Sequence, residues 1–137
     1  MSDDAASWVT RGGGGVRALF WNYTPPRTEE SDQVYFKRDL PSKDLGDVRV
    51  SLEGVPPGSY MLSVYRVGYG VNDVYTDYFK MGSPPVLTRE QVRALAERND
   101  GRPVSTARVE VKASGAFTRD LPLRENDVYL LTLLPAR

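Results

Sequence analysis

Residues 16–23 restrict the fold most, because their apolar side chains alternate onto both faces of an extended chain. A strand with one wet face has apolar side chains only at every second position, whereas this strand would bury both faces. One face would carry Val16, Ala18 and Phe20, and the other Leu19 and Trp21. The pattern predicts a central strand with Trp21 packed in the core.

Further stretches have the alternation or the apolar content of strands, and they lie at residues 7–10, 47–53, 59–67, 106–112, 117–123 and 128–134. Residues 34–36 are a candidate edge strand. Glycines 12–15 favour a hairpin that pairs the strand of Trp8 with the central strand. Residues 47–53 and 59–67, joined by a proline-rich turn, predict a second hairpin, and residues 128–134 should lie inside a sheet. This pattern predicts an all-β fold with one short helix, a two-sheet antiparallel β-sandwich of the immunoglobulin or fibronectin type.

The one predicted helix covers residues 88–98. Thr88 and Gln91 have capping-box spacing, and an apolar stripe follows at Val92, Leu95 and Ala96. The Asn-Asp-Gly sequence at residues 99–101 ends the helix, and it lacks the further oxygen ligands of a calcium loop. The 137 residues are predicted to form a single domain, with residues 1–6 as a frayed leader.

Residues 68–87 form a long connection without a clear period, and aromatic side chains are frequent in it. Long irregular connections in compact domains are usually functional, so we interpret this one as the functional surface. Its aromatic side chains either stack on sugar rings, dock on a neighbouring domain, or form a small cluster beneath the loop. The candidate contact residues are Tyr69, Asn72, Tyr75, Tyr78 and Phe79.

The composition excludes several classes of chemistry. Cysteine and histidine are both absent, so disulfides, thiolate chemistry, histidine-based nucleophilic catalysis and ordinary zinc sites are excluded. No cofactor and no metal are predicted. The 18 basic and 18 acidic residues give zero net charge, which argues against nucleic acid or an anionic membrane as a partner. No signal-peptide core or transmembrane run is visible, so we expect a cytoplasmic protein.

Three pairs of carboxylates are candidates for the acid and base of a glycoside hydrolase, which needs two such groups across the scissile bond. The pairs are Asp73 with Asp77, Glu29 with Asp32, and Glu125 with Asp127. Each pair lies in a polar loop or turn, where water keeps both groups ionised. The sequence therefore predicts solvated surface carboxylates and no catalytic residue.

Four motifs in order resemble the C-terminal region of family 39 glycoside hydrolases, the β-xylosidases. Residues 16–23 resemble a strand ending in Leu-Leu-Trp-Asn-Tyr, and residues 65–67 followed by Asn72 resemble a Tyr-Arg-Ile-Asp segment leading to an asparagine. Residues 80–84 and 87–88 resemble a Met-Gly-Ser-Pro turn with its helix start, and residues 126–131 resemble the closing strand. Residues 68–71 depart from the family, whose members tend to have an acidic residue and a histidine there.

The resemblance implies an accessory β-sandwich that packs on a catalytic (β/α)8 barrel. A barrel of about 250 residues does not fit in this chain, and the Asn-Glu-Pro motif of the family's acid/base is absent. The implied function is therefore non-catalytic, bracing the barrel and edging its substrate cleft or a subunit contact with residues 68–87. The implied partners are the barrel, a xylo-oligosaccharide and a second copy of the chain. A carbohydrate-binding module for xylan-type glycans and a fibronectin-like protein-interaction domain remain alternatives.

Overall fold

The structure is a computed structural model that describes residues 5–25 and 39–136. The candidate edge strand at 34–36 and the Glu29–Asp32 pair therefore lie outside the described residues. The strands and helices are β1 (Ala5–Gly12), β2 (Gly15–Asn22), β3 (Asp44–Leu52), β4 (Gly58–Val67), α1 (Val74–Lys80), α2 (Arg89–Arg98), β5 (Ser105–Val111), β6 (Phe117–Arg124) and β7 (Val128–Pro135). Strand β1 begins at Ala5, so residues 5 and 6 of the predicted leader at residues 1–6 belong to a strand, and residues 1–4 lie outside the described residues.

Two antiparallel sheets form the predicted β-sandwich. The larger sheet has the strand order β1-β2-β7-β4-β5, and the smaller sheet pairs β3 with β6. Both strands with two apolar faces, β2 and β7, lie inside the larger sheet, as predicted. The buried core draws side chains from both sheets, among them Val16, Leu62, Leu131, Leu133, Leu121 and Leu123.

The hairpin between β1 and β2 confirms the interpretation of the glycine run. Gly13 and Gly14 have φ angles of 60° and 75°, which are left-handed conformations that glycine adopts without a steric penalty. A two-residue turn with positive φ at both positions matches the twist of antiparallel strands. Trp8 consequently lies opposite Leu19.

The predicted hairpin between residues 47–53 and 59–67 is wrong. Strand β3 pairs with β6 in the smaller sheet, whereas β4 lies between β5 and β7 in the larger one. The connection crosses the core at Val55, which is 1% exposed and whose N–H donates to the Gly115 carbonyl over 2.9 Å. Two amphipathic strands have the same alternation whether they pair side by side or face each other across a core, so the sequence did not distinguish the two arrangements.

Two helices lie in the described residues, where the sequence predicted one. Helix α2 has the predicted capping box: the Gln91 N–H donates to the Thr88 hydroxyl over 3.2 Å, and the Thr88 N–H donates to the Gln91 side chain over 2.9 Å. Of its predicted apolar stripe, Leu95 is buried while Val92 and Ala96 are exposed. The additional helix, α1, falls within the predicted loop. Neither helix is long and apolar enough to cross a membrane.

Trp21 does not lie in the core, in contrast to the prediction. Side chains alternate along β2, and the core face carries Val16, Ala18 and Phe20, so Trp21 lies on the opposite face and is half-buried. Its ring contacts that of Trp8 edge-on, with centroids 6.5 Å apart and planes at 87°. The two tryptophans therefore belong to the outer surface of the larger sheet.

The exposed cross-strand pair of Arg49 and Asp120 leads to a first prediction. Arg49 donates two hydrogen bonds, Nε to Oδ1 over 2.7 Å and Nη2 to Oδ2 over 2.9 Å, and these bonds lower the pKa of Asp120. Because the folded-state pKa is below the unfolded one, the stabilisation by this pair is present at neutral pH and is lost as pH falls through the folded-state pKa. In an NMR carboxyl titration we expect Asp120 to titrate below its ordinary value and Arg49→Gln to raise its midpoint. An unchanged midpoint in that variant would contradict the assignment.

Candidate functional site at the helical segment

The predicted functional segment leaves β4 through a tight turn at Gly68–Val71. The N–H of each of these two residues donates to the carbonyl of the other, over 3.0 and 2.9 Å. Asn72 then has φ of 47°, and its side-chain amide donates to the Arg66 carbonyl over 2.9 Å. Asn72 therefore directs the chain from the strand into helix α1.

Asp73 caps helix α1. Its Oδ1 accepts from the Thr76 N–H over 3.1 Å, and its Oδ2 accepts from the Gly70 N–H over 3.1 Å and from the Thr76 hydroxyl. A carboxylate that accepts backbone N–H groups at a helix start satisfies donors that otherwise lack partners. The residues of α1 include valine, threonine and three aromatic side chains, all of modest helix propensity, so the sequence did not predict this helix.

The structure brings three of the five candidate contact residues together on α1. The ring of Tyr75 lies with its centroid 6.4 Å from that of Tyr78 and 6.3 Å from that of Phe79, at tilts of 44° and 41°. All three side chains are half-buried, and the Tyr78 hydroxyl donates to the Pro84 carbonyl over 3.0 Å. These half-buried rings are tilted against each other, so together they form a cluster and not a flat platform.

The other two candidates have different surroundings. Tyr69 is half-buried, and the Lys80 ammonium lies 5.4 Å from its ring centroid. A hydrogen bond with the Asp39 carboxylate, more than burial, raises the pKa of the Tyr69 hydroxyl. Asn72 serves the turn through its contact with the Arg66 carbonyl. Tyr69 therefore belongs to the surface of the α1 segment, whereas Asn72 has a backbone partner.

Helices α1 and α2 are joined by a surface ion pair. Arg98 Nη1 lies 2.8 Å from Asp77 Oδ1, with side chains 69% and 23% exposed. A cleft of about 220 Å³ lies between the helices, lined by Asp77, Lys80, Met81, Ala94, Leu95 and Arg98. Its lining combines two cations and one anion with the apolar side chains of Met81, Ala94 and Leu95.

The prediction that Asp127 is a solvated carboxylate is wrong. Its side chain is 0% exposed, and Oδ2 lies 2.8 Å from Arg66 Nη2, whose own side chain is only 14% exposed. The same Oδ2 accepts from the Arg124 N–H over 2.8 Å, while the backbone carbonyl of Asp127 accepts from the Asn22 N–H over 3.1 Å. Arg66 lies over the ring of Tyr129 at 5.5 Å. Asp127 is therefore the centre of a buried polar cluster.

A signal for this cluster exists in the sequence. On β4 every second side chain points inward up to Val64, and Arg66 is the next position in this series. On β7 the inward series begins at Tyr129, and Asp127 lies two positions before it. A cation in a core-facing position requires a buried partner of opposite charge. Because both residues continue the core-facing series of a strand, the sequence pattern indicates that Arg66 and Asp127 are partners.

Four of the carboxylates considered as a catalytic acid or base lie within the described residues, and each has a partner within the fold. Asp73 caps a helix, Asp77 pairs with Arg98, and Asp127 is enclosed with Arg66. Glu125 Oε2 accepts from the Lys43 N–H over 3.2 Å. Within residues 5–25 and 39–136, no group of three or more acidic side chains could hold a metal ion.

The chain is similar to parts of several solved glycoside hydrolases, while no family model and no curated protein matches it. A family 39 enzyme from Xanthomonas axonopodis pv. citri shares 34% identity over 95% of this chain with a TM-score of 0.87. A monomeric β-xylosidase from Caulobacter crescentus shares 33% over 96% with a TM-score of 0.86. This chain matches one region of the family 39 glycoside hydrolases. It spans about a quarter of these relatives, 26% of each.

A further solved structure is similar in the fold alone. The bacterial orthologue of human α-L-iduronidase shares 16% identity over 99% of this chain, with a TM-score of 0.70. The similarity therefore concerns the arrangement of strands and helices and carries no residue roles. The family 39 match, at twice that identity, agrees with the resemblance carried by the four sequence motifs.

Three of the four family 39 motifs meet at the buried polar cluster. The Trp-Asn-Tyr motif contributes Asn22, whose N–H donates to the Asp127 carbonyl. The closing-strand motif contributes Asn126 and Asp127, and Asn126 Oδ1 accepts from the Thr24 N–H over 2.9 Å. The motif at the end of β4 contributes Arg66. Residues of these three motifs therefore connect the adjacent strands β2, β7 and β4 at one end of the larger sheet.

Proposed function

We propose that this chain is the non-catalytic accessory β-sandwich of a family 39 glycoside hydrolase and braces a catalytic (β/α)8 barrel. The observation that carries the proposal is the match of nearly the whole chain to only 26% of each of two family 39 enzymes. The remaining three quarters of such an enzyme would supply the barrel and both catalytic carboxylates.

The environments of the described carboxylates support the absence of catalysis in this chain. A hydrolytic acid and base must reach a shared substrate, and the general acid needs a raised pKa. Asp73 and Asp127 instead accept hydrogen bonds from backbone N–H groups, and Asp77 forms an ion pair with Arg98. These carboxylates are used to fix the fold.

The segment from Gly68 to Leu87 is proposed to edge the substrate cleft or a subunit contact. The half-exposed rings of Tyr75, Tyr78 and Phe79 favour a contact surface, because clustered aromatic side chains at a surface often mark interaction sites. The Caulobacter relative is described as monomeric, which favours a contact within one enzyme over a contact between two copies. The tilt of the rings disfavours a flat sugar-stacking platform, so a xylan-binding module is the second candidate.

The proposal is tested by replacing the matched region of the Caulobacter β-xylosidase with this chain. We expect the chimera to hydrolyse an aryl β-xyloside, the same enzyme with the region deleted to lose most of its soluble activity, and the 137-residue chain alone to be inactive. Hydrolysis by the chain alone, abolished by a substitution of one of its own carboxylates, would overturn the proposal. So would a well-folded chimera no more active or stable than the deletion variant.

An amide NMR titration of the chain with xylo-oligosaccharides distinguishes the second candidate. Saturable shifts confined to Tyr69, Tyr75, Tyr78 and Phe79 would support a glycan-binding module. The absence of shifts at millimolar sugar is expected for a bracing domain. The two outcomes separate binding of free glycan from a role that needs the rest of the enzyme.

A further inference from the structure

The larger sheet has an outer surface that is apolar across four strands. On this face, two neighbouring cross-strand rows run over β1, β2, β7 and β4. The strand register aligns the first row as Trp8, Leu19, Leu130 and Tyr65. It aligns the second as Ala6, Trp21, Val128 and Val67. We call these eight side chains the outer apolar face.

The outer apolar face lies where an ordinary sandwich is polar, and its side chains are exposed at Ala6, Trp8, Val67 and Val128 and half-buried at Leu19, Trp21, Tyr65 and Leu130. Trp8, Val67 and Val128 are 73%, 53% and 38% exposed, and none of the eight side chains carries a charge. Strands lie about 4.8 Å apart, so four of them make a patch roughly 15 Å wide. Contiguous exposed apolar patches on soluble domains mark interaction sites, whereas single exposed apolar residues need no explanation.

We propose that the outer apolar face packs against the remaining three quarters of a family 39 hydrolase. This inference rests on the proposed function and names the surface that carries it. The rest of such an enzyme is the proposed occupant of this face, because the two relatives each have about three quarters of their chain outside the matched region. The chemistry agrees, because eight uncharged side chains fit an apolar protein surface and offer no partner to a charged one.

The helical segment is the competing surface in this chain. Its most exposed apolar side chain is Val86, at 80%, but its aromatic side chains Tyr75, Tyr78 and Phe79 are half-buried in their own cluster. The outer apolar face extends over four strands and includes both tryptophans, a residue type that is enriched among residues that dominate binding energy. We therefore assign the main contact to the sheet and a peripheral contact to the helical segment.

The test compares matched serine variants in the chimera and in the chain alone. Trp8→Ser and Val67→Ser remove exposed side chains of the outer apolar face, and Leu45→Ser, at 48% exposure on the smaller sheet, is the control for Val67→Ser. In the chimera we expect the first two variants to shorten the half-life of activity at elevated temperature by about tenfold, while Leu45→Ser leaves it unchanged. In the chain alone, the thermal midpoints of Trp8→Ser and Val67→Ser should stay near that of the parent.

Three outcomes would overturn the docking surface. An active chimera that tolerates both variants but is destabilised by Val86→Ser would assign the contact to the helical segment and leave the proposed function intact. Equal destabilisation of the chimera and of the chain alone would show that the side chains act within the sandwich. Sedimentation of the chain as a dimer that Trp8→Ser dissociates, with no effect in the chimera, would make a second copy the occupant.

Discussion

Asp127→Asn is expected to lower the free energy of unfolding by about 3–5 kcal/mol, because it leaves the Arg66 cation without its counter-charge in a buried position. The Asp127 side chain is 0% exposed and that of Arg66 is 14% exposed, so little water reaches the pair to replace the lost partner. Domains of this size are stable by about 5–15 kcal/mol in total, so the substitution removes a large part of the stability. Urea unfolding followed by tryptophan fluorescence measures the change.

The control for this experiment is Asp120→Asn, which breaks the exposed pair with Arg49. Both of these side chains are solvent-exposed, at 49% and 71%, and exposed ion pairs contribute little to stability. A second variant, Arg66→Met with Asp127→Leu, replaces both charges by apolar groups and should recover much of the loss, since no charge is then left unpaired. Stability of Asp127→Asn equal to that of the parent would show that the pair is not held as described.

Gly68→Ala is expected to destabilise the chain by about 2–3 kcal/mol through steric overlap with the same carboxylate. A Cβ at Gly68 would lie 1.9 Å from Asp127 Oδ1 and 3.1 Å from its Cγ. The carboxylate cannot move away freely, because its other oxygen holds Arg66 and the Arg124 N–H. The substitution therefore lowers the free energy of unfolding either through steric strain at the new methyl group or through a weakened ion pair. Thermal and urea unfolding both report it.

Alanine substitutions at two further glycines are controls for effects of alanine that do not involve this overlap. Gly12→Ala meets no atom within 4 Å and should leave the stability near that of the parent. Gly70→Ala also has open space but has φ of 71°, so its loss should reflect backbone strain of about 1–2 kcal/mol. In an Asp127→Ala background, Gly68→Ala should cost clearly less than in the parent. Equal costs in both backgrounds would contradict the steric explanation.

The candidate site was predictable in part. The aromatic residues of 68–87 were recognised by composition, and three of them do cluster on one helix. The helix itself was not predicted, because it is only seven residues long and depends on the Asp73 cap and on its packing against α2. The burial of Asp127 was missed because a carboxylate in a Glu-Asn-Asp turn has the local appearance of a solvated group.

The sequence by itself determined the strands, their two-faced or one-faced character, the glycine hairpin and the capped helix α2, since these depend on side-chain period and on residues close in the chain. Only the tertiary structure decided that β3 pairs with β6, that Arg66 meets Asp127 and that Trp21 faces outward. The physical reason is that a period of two tells which side chains share a face of a strand. This period does not tell which other strand pairs with a given strand, or which of two apolar faces the second sheet covers.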